Sequence, residues 1–167
     1  MRVAIIEASH WHCPLYLDAF DDPAIEVVGV SDSSGAKGPA IAARFGARSY
    51  AAYADLLARE SVDVAFAFGP HAEMPAIAQA LIERGIPFAL EKPCGTSADA
   101  VGRIRRMAAE RGIYAAVPFI FRFSELLGAV REAEGDVPAP FHHLSFRFVA
   151  GSPQRYPAAG SAWMLDP

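Results

Sequence analysis

Apolar residues arrive along this chain in short continuous runs, each followed by a polar turn and then by a stretch with helical spacing. Val3-Ala4-Ile5-Ile6 is the first run, and the polar turn over residues 7–12 follows it. Residues 14–20 then read as a helix, with Pro14 suited to a first turn and Leu15, Ala19 and Phe20 recurring on one face. Residues 25–30 form a second apolar run that ends in the turn-rich Ser31-Asp32-Ser33-Ser34-Gly35. A helix over 39–45 closes at Gly46, and residues 50–60 read as a short amphipathic helix through Tyr53, Leu56 and Leu57. The alternation then repeats: strand 62–68, loop Gly69-Pro70-His71, helix 72–84 ended by Gly85, strand 87–90 and turn 91–96. Ser97 is placed as the N-cap of a helix running to Arg111, and 113–117 is one more short strand.

Strands alternating with helices predict an α/β fold for residues 1–118, a Rossmann-type doubly wound parallel sheet with helices on both faces. After Pro118 the texture changes. Residues 122–134 can form a helix, 135–140 break it, and 143–148 alternate polar and apolar, the mark of a strand with one wet face. Residues 119–167 are therefore expected to begin an α+β domain that the sequence leaves incomplete. The face made by Leu144, Phe146 and Phe148 would pair either with the remainder of that domain or with a second copy in a homo-oligomer.

Of the 167 residues, 53% are hydrophobic and 20% charged, as in ordinary globular domains. A net charge of -4 with no basic run gives no field attractive to phosphate backbones, so neither nucleic acid nor an anionic membrane is an expected partner. No apolar run reaches the roughly 18 residues that span a bilayer, and the N-terminal run is too short for a signal peptide, which predicts a cytoplasmic protein. Cys13 and Cys94 lack the spacing of a zinc ribbon or a disulfide framework.

The chemistry concentrates at strand ends. The strand at 87–90 delivers Glu91 and Lys92 side by side into a turn, and in an open α/β sheet ligands bind at the carboxyl ends of strands. In a dinucleotide-binding unit the first turn carries G-x-G-x-x-G, and an acid some 20 residues on holds the ribose hydroxyls. Here that turn is Glu7-Ala8-Ser9-His10-Trp11-His12, in the right context without the glycines, and Asp32 stands where the ribose acid is needed. Its carboxylate would repel a 2′-phosphate, which favours NAD over NADP. An Asp that only caps a turn before Ser33 and Ser34 explains the same residue. A metal site built from His10, His12 and His71 beside Cys13 is a rival reading, as is a nucleophilic Cys94 near Lys92. A non-catalytic binding or assembly protein that kept the fold is a third.

Taken in order, the elements resemble the Gfo/Idh/MocA family of NAD(P)-dependent oxidoreductases. The resemblance rests on Glu91-Lys92-Pro93, on Phe68-Gly69-Pro70, on the pair Arg122-Phe123, and on Trp163 with Asp166-Pro167. It implies an oxidoreductase of a sugar, cyclitol or related hydroxy compound, with Glu91 at the nicotinamide ribose and Lys92, the catalytic candidate, beside the substrate hydroxyl. The dinucleotide crevice would be lined by Ser9, His10, Trp11, His12, Asp32, Gly69, Pro70 and His71. Glu7 stands at the family's first glycine, Ser9 and His12 at its other small positions, and Met74 at a family histidine. The family's second domain supplies an Asp and His pair for substrate binding, and the sequence ends before it.

Overall fold

The computed structural model describes residues 1–134, 143, 145, 147, 149, 151–159 and 161–165. Its centre is a six-stranded sheet of β1 (Arg2–Ile6), β2 (Glu26–Ser31), β3 (Arg48–Tyr50), β4 (Val64–Ala67), β5 (Phe88–Leu90) and β6 (Ala115–Ala116). Every pairing is parallel, and the order is β3-β2-β1-β4-β5-β6. That order reverses direction between β1 and β4, which opens a crevice at their carboxyl ends. The central strands are continuous apolar runs because both of their faces are covered. Val3 and Ile5 pack with Val27, Val30, Ile41 and Phe68 on one face, and Ala4 and Ile6 with Ala65, Ala67, Leu81 and Leu90 on the other.

The covering helices are α1 (Gly38–Arg44), α2 (Tyr53–Arg59), α3 (Met74–Glu83) and α4 (Ala98–Glu110). In α3 the buried residues are Met74, Ile77, Ala78, Leu81 and Ile82, the spacing that one buried helical stripe requires. The Ser97 hydroxyl accepts the Ala100 N–H at 3.2 Å and so caps α4, as its sequence signal predicts. Arg103, Arg105 and Arg106 lie on the solvated face of that helix.

Two expected helices differ. Residues 14–20 form two 3₁₀ segments, Cys13–Leu15 and Leu17–Asp21, rather than one α-helix. The face turned inward is Cys13, Leu17 and Phe20, while Leu15 stays 75% exposed and Ala19 is also exposed. The stretch expected as helix 50–60 divides: Tyr50 ends β3, paired with Ser31, and α2 starts only at Tyr53. Gly29 on β2 lets this corner close, because a Cβ there would meet Leu56 Cγ at 3.0 Å and Tyr50 Cε2 at 3.2 Å.

Beyond β6 come a 3₁₀ turn (Ile120–Phe123), α5 (Glu125–Glu134), the single turn α6 (Arg155–Ala158) and a last 3₁₀ turn (Ala162–Leu165). Among the described residues, none after Ala116 lies in a strand. Of the expected strand at 143–148, the apolar residues Leu144, Phe146 and Phe148 fall outside the described residues, as does the side chain of Trp163.

Candidate functional site

The strand ends around the crevice carry an unusual density of ionisable groups, and the local backbone explains how each is held. Glu7 leaves β1 with φ +58, the left-handed region that glycine normally occupies at such a turn. Its side chain is buried, and Oε2 accepts the Ser33 N–H at 3.1 Å and the Ser33 hydroxyl at 2.6 Å. The carboxylate is thus drawn across to the loop after β2. The turn also uses its own backbone donors: Ala8 N–H goes to Ser31 O, His10 N–H to Glu7 O, Cys13 N–H to His10 O, and His12 N–H to His10 Nδ1 at 3.0 Å.

Asp32 ends β2, only 2% exposed. Oδ2 accepts from the Ser9 hydroxyl at 2.6 Å, the Lys37 N–H at 2.9 Å and the Gly38 N–H at 2.7 Å. Oδ1 accepts from the Ser34 hydroxyl at 2.8 Å and the Ser34 N–H at 3.2 Å. Burial alone would push this carboxyl upward, but the bonds from Ser9, Gly38, Lys37 and Ser34 outweigh it and hold the acid below its ordinary range. Gly38 is required at the start of α1, since a Cβ there would stand 2.4 Å from Asp32 Cβ. The capping role and the crevice position therefore belong to the same carboxylate.

On the other side of the crevice, the chain after β5 places Glu91 4% exposed. Its Oε1 lies 3.0 Å from His12 Nδ1, and its Oε2 accepts the Tyr16 hydroxyl at 2.7 Å. Burial opposes the charge, yet the bonds from His12 and Tyr16 win and keep Glu91 below the usual carboxylate range. The Tyr16 phenol is displaced upward by burial and by Glu91. His10 is buried, and burial followed by the field of His12 pushes its imidazole down to about 4. His71 is lowered by burial and then by Lys92. Lys92 itself is exposed, and its field reaches both His10 and His71.

Gly69 sits on the floor between these groups, where a Cβ would meet Ile77 Cδ1 at 2.6 Å and Glu7 Cγ at 3.7 Å. Pro70 follows it at the crevice wall. A crevice of about 70 Å³ is lined by Glu7, Ser9, His10, Asp32, Ser33, Ser34, Phe68 and Pro70. A shallower depression of about 240 Å³ shares Asp32, Ser33 and Ser34 and runs on to Ser49, Tyr50 and Ala51.

The residues singled out from the sequence thus collect at one end of the sheet. Several of their neighbours carried no such signal. Tyr16 reads as one more aromatic on a helix, and nothing local ties it to a carboxylate 75 residues away. The chain near α6 comes back over the β1 turn: Ser161 Oγ donates to Ser9 O at 3.3 Å, and Lys37 Nζ donates to Ala159 O at 2.6 Å. Trp11 packs between the His12 ring at 4.0 Å and the Tyr156 ring at 5.4 Å, with the Arg155 guanidinium 5.2 Å from its centroid. Cys13 is buried, and burial pushes its thiol up to about 12, which removes it as a nucleophile near neutral pH. Among the described residues, no group of three His, Cys, Asp or Glu side chains is arranged to hold a metal ion. Nor is any described helix long and apolar enough to cross a membrane.

Residues 1–119 match the Gfo/Idh/MocA oxidoreductase family, in the region described as its NAD-binding Rossmann fold. The chain belongs to that family. No curated protein sequence matches it. Among solved structures it is similar to GenD2 from gentamicin A biosynthesis, in complex with NAD, at 25% identity and a TM-score of 0.73, covering 81% of this chain and 39% of that one. It is similar also to biliverdin reductase from Synechocystis sp. PCC 6803, in complex with biliverdin and NADP+, at 22% identity and a TM-score of 0.70, over 80% of this chain and 42% of that one. A third is the UDP-N-acetylglucosamine 3-dehydrogenase GnnA from Acidithiobacillus ferrooxidans, at 24% identity and a TM-score of 0.67, over 81% of this chain and 42% of that one. The chain spans about two fifths of the length of these proteins.

Proposed function

We propose that this chain binds NAD and serves the oxidation or reduction of a hydroxyl group on a sugar, cyclitol or related compound. The observation that carries the reading is the convergence of the β1 turn, Asp32 and Pro70 on the crevice where the strand order reverses, with Glu91 tied to the same turn through His12. GenD2 binds NAD, and GnnA is a sugar-nucleotide dehydrogenase, which supports the substrate class by analogy. The same reading makes the protein cytoplasmic, with a small molecule rather than nucleic acid or membrane as its partner.

The residues present fit a dinucleotide. The left-handed backbone at Glu7 keeps the turn that a glycine would provide. Its carboxylate, which would repel a pyrophosphate, is held by Ser33. Among the described residues the N–H groups of Ser9 and Trp11 have no hydrogen-bond partner, so two donors of the turn remain for phosphate oxygens. The depression beside Asp32 and Ser34 suits an adenosine, and the buried charge of Asp32 disfavours a 2′-phosphate by repulsion. When bound, the nicotinamide supplies the two-electron acceptor or donor for the substrate carbon. Lys92, exposed beside Glu91, stabilises negative charge on the substrate oxygen as its proton moves.

Titration with NADH and NADPH, exciting tryptophan and reading energy transfer to the nicotinamide, tests the proposal. A W163F variant leaves Trp11 as sole donor. Saturable transfer below about 1 mM, tighter for NADH than for NADPH, is expected. Absence of transfer at millimolar cofactor would overturn the proposal in favour of a binding or assembly protein.

A further inference from the structure

At the β6 edge of the sheet, away from the crevice, a groove of about 350 Å³ runs between that strand and α4. Its walls are apolar, with Leu90, Val101, Ile104, Ile113 and Val117 among them, and the half-buried Cys94 also lines it. β6 pairs with β5 through only Ala115 and Ala116, and their small side chains leave this end of the α4 face open. Arg105 stands at the rim, exposed, and among the described residues its guanidinium has no ion-pair or hydrogen-bond partner. No described residue beyond Val117 lines the groove.

The same chain exposes a helix of complementary surface. α5 is capped by Ser124, whose hydroxyl accepts the Leu127 N–H at 3.3 Å, and helical spacing puts Leu126, Leu127 and Val130 on one stripe. Leu126 is 66% exposed, and among the described elements α5 packs closely only on the 3₁₀ turn before it. A helix of 10 residues is marginal in water without a surface to cover its apolar stripe. Phe119, Ile120 and Phe123, also exposed, continue the apolar surface along the link from β6 to α5. Glu125 and Glu132, seven residues apart, line one flank of the stripe, and theirs is the charge that Arg105 lacks.

We propose that two copies of this chain associate by laying α5 of each into the groove between β6 and α4 of the other, with Leu126, Leu127 and Val130 in the groove and Glu125 and Glu132 toward Arg105. One exchange covers the stripe and the groove together, and its twofold repetition closes the assembly with neither surface left to extend it. α5 reaches its own groove only by reversing the chain within residues 117–124, half of which are held in the 3₁₀ turn Ile120–Phe123. Two short helices in two grooves make a small interface, so a dissociation constant of about 1–100 µM is expected.

The test follows the intact 167-residue chain by sedimentation velocity and by iodoacetamide alkylation of Cys94, mapped by mass spectrometry apart from the buried Cys13. From about 1 to 200 µM the chain should pass from monomer to dimer, and alkylation of Cys94 should slow at least about threefold as the groove fills. Leu126→Asp, at an exposed position that the fold of one chain does not need, should raise the dissociation constant at least about tenfold and make alkylation independent of concentration. Arg105→Glu should raise it about three- to tenfold, the contact occurring twice by symmetry, and Glu132→Arg in the same chain should recover most of that loss. A chain still monomeric at the highest concentration, a dimer indifferent to Leu126→Asp, or a charge reversal with no recovery would each overturn the proposal. So would protection of Cys94 that does not change with concentration, the result expected if α5 folded onto its own groove.

Discussion

Replacing Asp32 by Asn changes one oxygen to an NH₂ group and nothing in volume, so its cost can be worked from the five donors that surround the carboxylate. If the NH₂ faced Ser9, Lys37 and Gly38, the two fixed backbone donors of Lys37 and Gly38 would oppose it. Facing Ser34 is cheaper, because the Ser34 hydroxyl can turn to accept. Even so, the Ser34 N–H loses its acceptor, at about 1.5–3 kcal/mol for a bond to a charged group, and the remaining bonds weaken from charged to neutral. A total near 3 kcal/mol is expected. For a chain of this length it corresponds to a fall in Tm of about 6–12 °C.

The pH dependence gives the sharper check. Asp32 is held below its unfolded value of 3.8, so its charge contributes stability that is complete above that value and is lost as pH falls through the folded pKa. Urea unfolding followed by circular dichroism should therefore give a constant gap between wild type and Asp32→Asn from pH 5 to 7. The gap should narrow below about pH 4, as the wild-type acid takes up its proton. A gap under about 0.5 kcal/mol at pH 7, or one equally large at pH 3, would refute the view that Asp32 is a charged cap.

Two glycine substitutions of opposite sign test the packing by the same unfolding measurement. Gly38→Ala puts a Cβ 2.4 Å from Asp32 Cβ and should cost about 1–3 kcal/mol. Gly102→Ala, in the interior of α4 with only Arg106 Nη1 near its Cβ, should instead add about 0.5–1 kcal/mol. Equal effects at the two positions would mean that the close approach at Gly38 is not real. Glu7→Gly relieves a left-handed residue, worth about 1–2 kcal/mol, and removes the bonds to Ser33, so stability should change little. NADH affinity, read by energy transfer, should rise about tenfold as the carboxylate leaves the turn, and an unchanged or weaker affinity would contradict the placement of phosphate there.

The sheet was legible because strands buried on both faces are written as continuous apolar runs, and because Gly46, Gly85 and Gly112 mark helix ends with positive φ. Residues 13–20 were not. Cys13, Leu17 and Phe20 lie on a helical spacing as good as that of Leu15, Ala19 and Phe20, so periodicity cannot choose the inward face. β3 escaped because three residues on a sheet edge, two of them exposed, give too short a pattern. At the site, the positions of Asp32, Glu91 and Lys92 could be read from strand ends. What Asp32 and Glu91 bind could not, since Ser9 with Asp32 and Tyr16 with Glu91 are pairings across 23 and 75 residues that no local spacing encodes.

Those pairings also resolve an apparent conflict in the sequence. Three strands, β1, β2 and β5, end in carboxylates around a crevice that is read as holding an anionic dinucleotide, and like charges there should repel it. Each acid is engaged by its own donors: Glu7 by Ser33, Asp32 by Ser9, Ser34 and the start of α1, Glu91 by His12 and Tyr16. Donors of that kind draw the negative charge inward and lower what a ligand experiences at the surface of the crevice. Lys92, next after Glu91, is exposed and carries the opposite charge, the sign that suits phosphate. The loss of glycine at position 7 is on this view compatible with dinucleotide binding only while Ser33 holds the carboxylate. Ser33→Ala should accordingly weaken NADH binding in the wild-type background and have no effect once Glu7 is Gly.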